Sequence, residues 1–181
     1  MFSNTTDRPW FALQVRCGME HTTAYLLRSK GYEEFLPTYT KTSASKSVDA
    51  PLFPGYVFCR FDPGIRSPIV TTPGVIRVLG LGKTPAAVAD AEIEALRTIA
   101  VSELPAKPHA YFSEGQRVRV TRGPLDGVAG NIVTTGAGGQ LVVSVTLLQR
   151  SVAVEIDPRW LEPADSWGAC SGDTAMAAVC V

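Results

Sequence analysis

The chain of 181 residues is 45% hydrophobic and 19% charged, a composition typical of proteins that fold around a hydrophobic core. Seventeen lysines and arginines balance seventeen aspartates and glutamates, so no field of the whole chain draws it to nucleic acid or to an anionic membrane. The sequence has no run of about 18–20 apolar residues, no basic-then-apolar leader and no CxxC pair, which argues against a membrane helix, a signal peptide and a disulfide scaffold. We therefore expect a cytoplasmic protein with reduced thiols and no membrane partner.

The N-terminal part is predicted to mix strands with helices. Alternating apolar residues predict a strand over 9–16, and apolar residues at helical spacing predict a helix over 19–30 that ends at Gly31. The polar stretch 40–49, rich in Ser and Lys, is typical of a mobile loop or a hairpin tip. Further strands are predicted over 33–39, 53–61 and 75–79.

A second helix and a linker are predicted to separate the N-terminal part from an all-β C-terminal part. A second helix, with Asp90 as its N-cap, is expected to stop near Ser102, and two closely spaced prolines in the segment after it predict an extended linker. Beyond the linker, short β-rich runs separated by glycines are typical of a small barrel. The predicted class is therefore α+β. The predicted organisation is an α/β domain over 1–103, a linker over 104–110, a β-barrel over 111–164 and a disordered tail over 165–181.

Charge is unevenly distributed along the chain. Residues 1–83 carry a net charge of +4, residues 84–105 carry −3, and the remainder carries −1. The basic bias of the first segment suits local contact with phosphates, whereas the barrel is a poor candidate for gripping them.

The sequence offers little material for catalysis or metal binding. Cys17 and His21, four residues apart, would form a conceivable nucleophilic dyad, and a zinc site that used Cys59 as well would lack a fourth ligand. No phosphate-binding, dinucleotide-binding, zincin or hydrolase motif is present. We expect a protein without catalytic residues, metal or cofactor, and an enzyme that uses Cys17 and His21 remains an alternative.

The segment Pro51–Phe58 is unusually apolar for its length. A strand can direct only half of its side chains inward, so the others would form an exposed apolar surface for a protein partner. The alternative is that Leu52, Val57 and Phe61 fill the core while Tyr56 lies at its rim. The residues alone leave both interpretations open.

Several motifs together resemble the NusG family of transcription elongation factors. The N-terminal motifs are Trp10–Gly18, Phe35–Thr38, Pro51–Phe58 and Thr72–Val75, in the family's order and spacing. The C-terminal motifs, which resemble the family's KOW domain, are Glu114–Val120, Gly123–Gly130 and Val152–Glu155. The resemblance covers residues 9–163. It implies a ferredoxin-like α/β domain of the NGN type followed by an SH3-like KOW barrel.

This resemblance implies a monomeric transcription elongation and antitermination factor that binds the clamp helices of RNA polymerase and holds the clamp closed. The polymerase-binding residues would be Trp10, Phe53, Pro54, Tyr56, Phe58 and Val78, with Arg66, Ser67 and Pro68 approaching the opposite side of the cleft. Upstream or non-template DNA would be contacted by Arg16, Arg28, Lys30, Lys41 and Lys46.

The barrel departs from the family pattern in its partner-binding residues. Leu125, Val128, Leu147 and Leu148 stand where relatives use aromatic residues to bind termination factor Rho or ribosomal protein S10. The departure favours a specialised paralogue of the RfaH-like kind. Glycines and valines in this part predict β structure rather than the helical hairpin of one such relative. A KOW-type RNA-binding or ribosome-associated protein is the alternative function, and the linker length permits the two domains to associate or to stay apart.

Overall fold

The computed structural model describes residues 8–43, 46–81, 84–102, 104–110, 115–135 and 138–164. Its three α-helices are α1 (Glu20–Ser29), α2 (Ser67–Val70) and α3 (Asp90–Val101). The strands of the first unit, residues 8–102, are β1 (Trp10–Val15), β2 (Glu33–Phe35), β3 (Thr38–Ser43), β4 (Lys46–Pro51), β5 (Tyr56–Arg60), β6 (Val75–Val78), β7 (Gly80–Leu81), β8 (Thr84–Pro85) and β9 (Ala87–Val88). Those of the second unit, residues 104–164, are β10 (Ala106–Ala110), β11 (Gln116–Val120), β12 (Ala129–Thr135), β13 (Gly138–Val145), β14 (Arg150–Ile156) and β15 (Leu161–Pro163). The mixture of α and β structure confirms the predicted class in outline. The predicted tail lies outside the described residues.

The first unit is built around an antiparallel sheet of order β2-β5-β1-β6, with β9 also paired to β1. Alternation along β1 sends Phe11 and Leu13 to one face and Trp10 and Ala12 to the other. Helix α1 packs on the Phe11 face through Leu27, whereas α3 packs on the Trp10 face. A helix therefore lies on each face, which differs from an α+β sheet whose helices share one face.

The predicted helices are present with small differences at their ends. Helix α1 is followed by Gly31 at φ +83°, the left-handed conformation that the predicted glycine stop requires. Helix α3 differs at its start, because Ala89 is the N-cap and Asp90 is the first helical residue. The Asp90 carboxylate instead pairs with the Arg60 guanidinium at 3.0 Å, so tertiary pairing replaces the predicted cap.

The structure distinguishes between the two alternatives for segment 40–49 and shortens the predicted strand 53–61. Strands β3 and β4 pair from Thr38↔Pro51 to Ser43↔Lys46, so the described residues of this stretch form a hairpin, one of the two predicted alternatives. The predicted strand 53–61 begins only at Tyr56, because residues 52–55 form a turn.

The second unit is a six-stranded sheet of order β10-β14-β13-β12-β11-β15 with antiparallel pairing throughout. The predicted β structure is confirmed, and the pairings follow an open path with β10 and β15 at its ends. The predicted linker differs most, because residues 106–110 form an edge strand paired with β14 from Ala106↔Val154 to Ala110↔Arg150.

One hydrophobic cluster extends through both units. It joins Trp10, Phe58 and the apolar side of α3 to Val143 and Leu148 of the second unit. The two units are therefore in contact in this structure. No helix among the described residues is long and apolar enough to cross a membrane.

Candidate functional site

Five residues predicted to bind a partner lie around one face of the first sheet, and we call them the aromatic patch. They are Trp10 on β1, Phe58 and Tyr56 on β5, and Phe53 and Pro54 in the turn that precedes β5. The pairs Ala12↔Phe58 and Gln14↔Tyr56 place the β5 residues on the Trp10 face. Phe53 meets Phe58 edge to face, with ring centroids 5.9 Å apart.

The turn that carries Phe53 and Pro54 is fixed by backbone geometry and by one buried carboxylate. Gly55 has φ +84°, a conformation that side chains other than hydrogen adopt rarely. Its amide donates to Glu20 Oε1 at 2.9 Å, and its carbonyl accepts from the Val15 amide at 2.8 Å. Helix α1 on the Phe11 face and strand β1 of the sheet thus both hold the turn in place.

Burial divides the aromatic patch into an inner and an outer part. Trp10, Phe53 and Phe58 are at most 1% exposed, whereas Tyr56 is half-buried and Pro54 is exposed. The sequence analysis left an exposed face and a core role open, and in this structure the three inner residues are buried. The physical reason is that the second unit and α3 belong to the same apolar cluster and cover them.

Trp10 lies in a group of charged side chains that the sequence analysis missed. The guanidinium carbons of Arg60 and Arg97 lie 5.0 and 5.2 Å from the centre of its ring. Glu33 pairs with both arginines, at 3.4 Å to Arg60 and 2.8 Å to Arg97. The register Trp10↔Arg60 follows from strand pairing, which a single sequence does not reveal.

Val78 does not belong to the aromatic patch. It pairs with Leu13 across β1 and β6 and packs with the cluster on the Phe11 face. Cross-strand partners share a face, so the prediction that Val78 neighbours the patch was wrong. The next residue, Leu79, packs against the cluster that contains the patch.

Arg66, Ser67 and Pro68 form the N-cap and the first residues of α2, and they lie apart from the patch. Arg66 and Ser67 are exposed, and the Pro68 carbonyl accepts a hydrogen bond from Lys30 Nζ at 3.0 Å. Lys30 Nζ also donates to Thr72 Oγ1 at 2.8 Å. This lysine thus ties α1 to the segment.

The predicted nucleic-acid-binding residues differ in their surroundings. Arg16 and Lys41 are exposed, Lys30 is held by the contacts above, and Arg28 forms an ion pair with Glu34. The side chain of Lys46 lies outside the described residues. Arg16 and Lys41 are the two whose exposure best suits phosphate contact.

The predicted partner-binding residues of the second unit are mostly buried. Leu125, Val128 and Leu148 are 0%, 5% and 7% exposed, and Leu147 is half-buried against the same cluster. The loop residues therefore serve as core in this conformation.

The residues considered for catalysis, Cys17 and His21, are not joined into a common site in the described part of the chain. Cys17 and His21 are exposed, and no hydrogen bond joins them in the described part of the chain. Burial, with added repulsion from Glu34 and Glu33, raises the pKa of the Cys59 thiol to about 12, so this thiol is neutral at physiological pH. Across the described ranges, no three His, Cys, Asp or Glu side chains cluster as a metal site would require.

Comparison with known proteins connects this fold and surface to one family. Residues 8–97 match the family model NusG, described as a transcription termination factor. The chain is 26% identical over 164 residues to the transcription termination/antitermination protein NusG of Helicobacter pylori, an alignment that covers 81% of this chain and 93% of that protein. It is 28% identical over 163 residues to the NusG of Campylobacter jejuni, with 81% and 92% covered.

The fold is also similar to a solved structure, one described as a domain interaction in NusG of Thermotoga maritima. The TM-score is 0.56 at 18% identity, with 89% of this chain and 99% of that chain covered. The segment that matches the family model includes β1, the turn before β5 and β5 itself, the elements that carry the aromatic patch. The chain therefore belongs to the NusG family of transcription termination and antitermination proteins.

Proposed function

We propose that this chain is a transcription elongation and antitermination factor that binds RNA polymerase through the aromatic patch and suppresses pausing or termination. The observation that carries the proposal is the convergence of Phe53, Pro54 and Tyr56 on one edge of the patch, within the segment that matches the family. Tyr56 and Pro54 present apolar area at its rim, the composition typical of a protein interface.

The turn supports this role because it is rigid. The hydrogen bonds from the Gly55 amide to Glu20 and from the Tyr56 amide to the Phe53 carbonyl fix the rim before any partner arrives. A preorganised surface loses less conformational entropy on binding than a mobile one. Arg66 and Ser67 would contact a second part of the polymerase, and Arg16 and Lys41 would add salt-dependent contacts to upstream or non-template DNA.

The second unit would be a KOW barrel that recruits a further partner, such as termination factor Rho or ribosomal protein S10. Its apolar residues Leu147 and Leu148 lie in the short 3-10 turn before β14, at the border of the common cluster. The protein would act without catalysis, by binding the closed conformation of the polymerase more tightly than the open one.

Binding of the full chain to core RNA polymerase tests the proposal. We expect Tyr56→Ala to weaken binding at least tenfold, because a large aromatic side chain such as tyrosine is a typical hot spot of protein interfaces. Tyr25→Ala is the matched control, since Tyr25 is 69% exposed on α1, on the other face of the sheet, and should bind as the wild type does. Absence of wild-type binding, or binding of RNA alone, would refute the proposed function in favour of an RNA-binding protein.

A further inference from the structure

The α2 segment, residues 66–74, depends on other parts of the fold for its position. Helix α2 has only four residues, and a helix of this length is not stable by itself. The segment carries Arg66 and Ser67, which are proposed to contact a second part of the polymerase. Contacts from outside the segment therefore decide where these two side chains stand.

The Pro68 carbonyl is a group that α2 itself leaves open. In a continuing helix, the Thr72 amide would donate to this carbonyl. The Thr72 amide instead donates to the Ile69 carbonyl at 3.0 Å. Carbonyl groups at a helix end need side chains or water as partners. The Pro68 carbonyl can therefore accept a donor from another element.

Lys30 supplies that donor. Its Nζ donates to the Pro68 carbonyl at 3.0 Å and to Thr72 Oγ1 at 2.8 Å. Thr72 Oγ1 donates to the same carbonyl at 2.9 Å, and Thr72 is 2% exposed. Hydrogen bonds from a charged donor are stronger than those between neutral groups. The ammonium thus holds two points of the segment that lie one helical turn apart.

Helix α1 fixes the other end of the lysine. Lys30 is the C-cap of α1, and its amide donates to the carbonyls of Leu26 and Leu27 at 3.2 and 3.1 Å. Leu27 is buried against the sheet. A second hydrogen bond, from Thr23 Oγ1 to the Pro73 carbonyl at 3.2 Å, joins the same helix to the end of the segment. The position of α1 is in this way passed on to the α2 segment.

We propose that Lys30 is a positioning residue for polymerase binding: its ammonium holds the α2 segment so that Arg66 and Ser67 meet the polymerase. The inference rests on the proposed function, because it assigns a role within the same contact. It also gives Lys30 a role other than the DNA contact predicted from the sequence. A segment that is correctly placed in only a fraction of the molecules lowers the apparent affinity by that fraction.

Binding of the full chain to core RNA polymerase without DNA tests this role. Lys30→Met keeps the apolar stem and removes the donors, and we expect binding about fivefold weaker than that of the wild type. Hydrogen exchange at the amides of Thr71 and Thr72 should become faster. Lys30→Arg keeps donors and charge and should retain most of the affinity. Arg122→Met is the matched control, since it removes one exposed positive charge from the second unit and should bind as the wild type does.

A double-mutant cycle shows whether Lys30 acts through the segment. Arg66→Ala/Ser67→Ala removes the side chains that the segment presents and should weaken polymerase binding. Adding Lys30→Met to this variant should then cost much less affinity than Lys30→Met costs in the wild type. Additive losses would overturn the inference, because Lys30 would then act independently of these side chains.

A salt titration with a polymerase complex that contains DNA tests the phosphate contact instead. Loss of one phosphate contact lowers the slope of log affinity against log salt concentration by about 0.7–0.9. We expect Lys30→Met to leave this slope unchanged. A slope reduced by that amount would overturn the inference and return Lys30 to DNA binding.

The outcomes separate the inference from the proposed function. Unchanged exchange in Lys30→Met, or faster exchange with unchanged polymerase affinity, would overturn the positioning role and leave polymerase binding standing. Absence of wild-type binding to core polymerase would refute the proposed function, and the inference with it.

Discussion

The buried carboxylate of Glu20 is expected to control the stability of the turn that carries Phe53 and Pro54. Glu20 is 4% exposed, and its Oε1 accepts a hydrogen bond from the Gly55 amide of the turn at 2.9 Å. Glu20→Ala removes the acceptor and leaves a buried N–H without a partner. Glu20→Gln keeps an amide oxygen in the same position.

The magnitude follows from the two roles of this carboxylate. A hydrogen bond to a charged group contributes about 1.5–3 kcal/mol, and removing one partner of a buried pair costs in the same range. Glu20 is also the first residue of α1, where a negative charge contributes about 0.3–1 kcal/mol. We expect Glu20→Ala to lower the free energy of unfolding by about 3 kcal/mol, and Glu20→Gln by about 1 kcal/mol.

Urea unfolding followed by circular dichroism measures these differences. His21→Ala provides the control in the same helical turn, because His21 is exposed and its loss should change the free energy by no more than about 0.5 kcal/mol. Hydrogen exchange at the Tyr56 amide should accelerate in Glu20→Ala. A loss below about 0.5 kcal/mol in that variant would refute the claim that the carboxylate fixes the turn.

Three further predictions concern other positions. Gly74 has φ +94°, and a Cβ at this position would lie 2.2 Å from Thr23 Oγ1. In urea unfolding, Gly74→Ala should therefore lower the free energy of unfolding by about 2 kcal/mol or more. The double variant Thr23→Ala/Gly74→Ala should recover part of this loss. Burial raises the pKa of the Cys59 thiol to about 12, so above about pH 9 the thiol ionises in the unfolded chain while it stays neutral in the folded one. Its contribution to stability is therefore present below about pH 9 and is lost as the pH rises toward 12. Over that range, the free energy of unfolding should fall more in the wild type than in Cys59→Ala. Hydrogen bonds from Arg159 lower the pKa of Asp157 to about 2. In Arg159→Ala, the titration midpoint of Asp157 measured by NMR should move back toward 3.8. An unchanged midpoint would show that Arg159 is not the cause of the lowered pKa.

The periodicity of apolar residues predicted β1, α1 and α3. Strand β1 alternates between two cores, and helices α1 and α3 carry apolar stripes, so local patterns and tertiary packing agree. Helix α2 was missed because four residues, one of them Pro68, give no helical stripe. The segment of β3 and β4 was predicted only as a loop or a hairpin tip because polar residues dominate it, and the cross-strand pairing that forms the hairpin is not visible in the sequence.

The apolar composition of Pro51–Phe58 predicted a candidate surface, but it did not predict whether that surface is exposed. Apolar residues at Phe53 and Phe58 suit a partner surface and a core equally well, and the sequence left both open. Which occurs depends on contacts from residues such as Val143 and Leu148, about 90 positions away. Similarly, the face of Val78 depends on its pairing with Leu13, which no local pattern specifies.

The burial of the predicted interface is compatible with its proposed use. A surface apolar enough to bind polymerase is costly to leave in water, and the second unit is the nearest apolar surface that can cover it. The same contact buries Leu148, so the surfaces proposed for two different partners are covered together. Binding free energies are reciprocally linked, and a ligand that opens the contact from one side therefore raises the affinity for a ligand on the other.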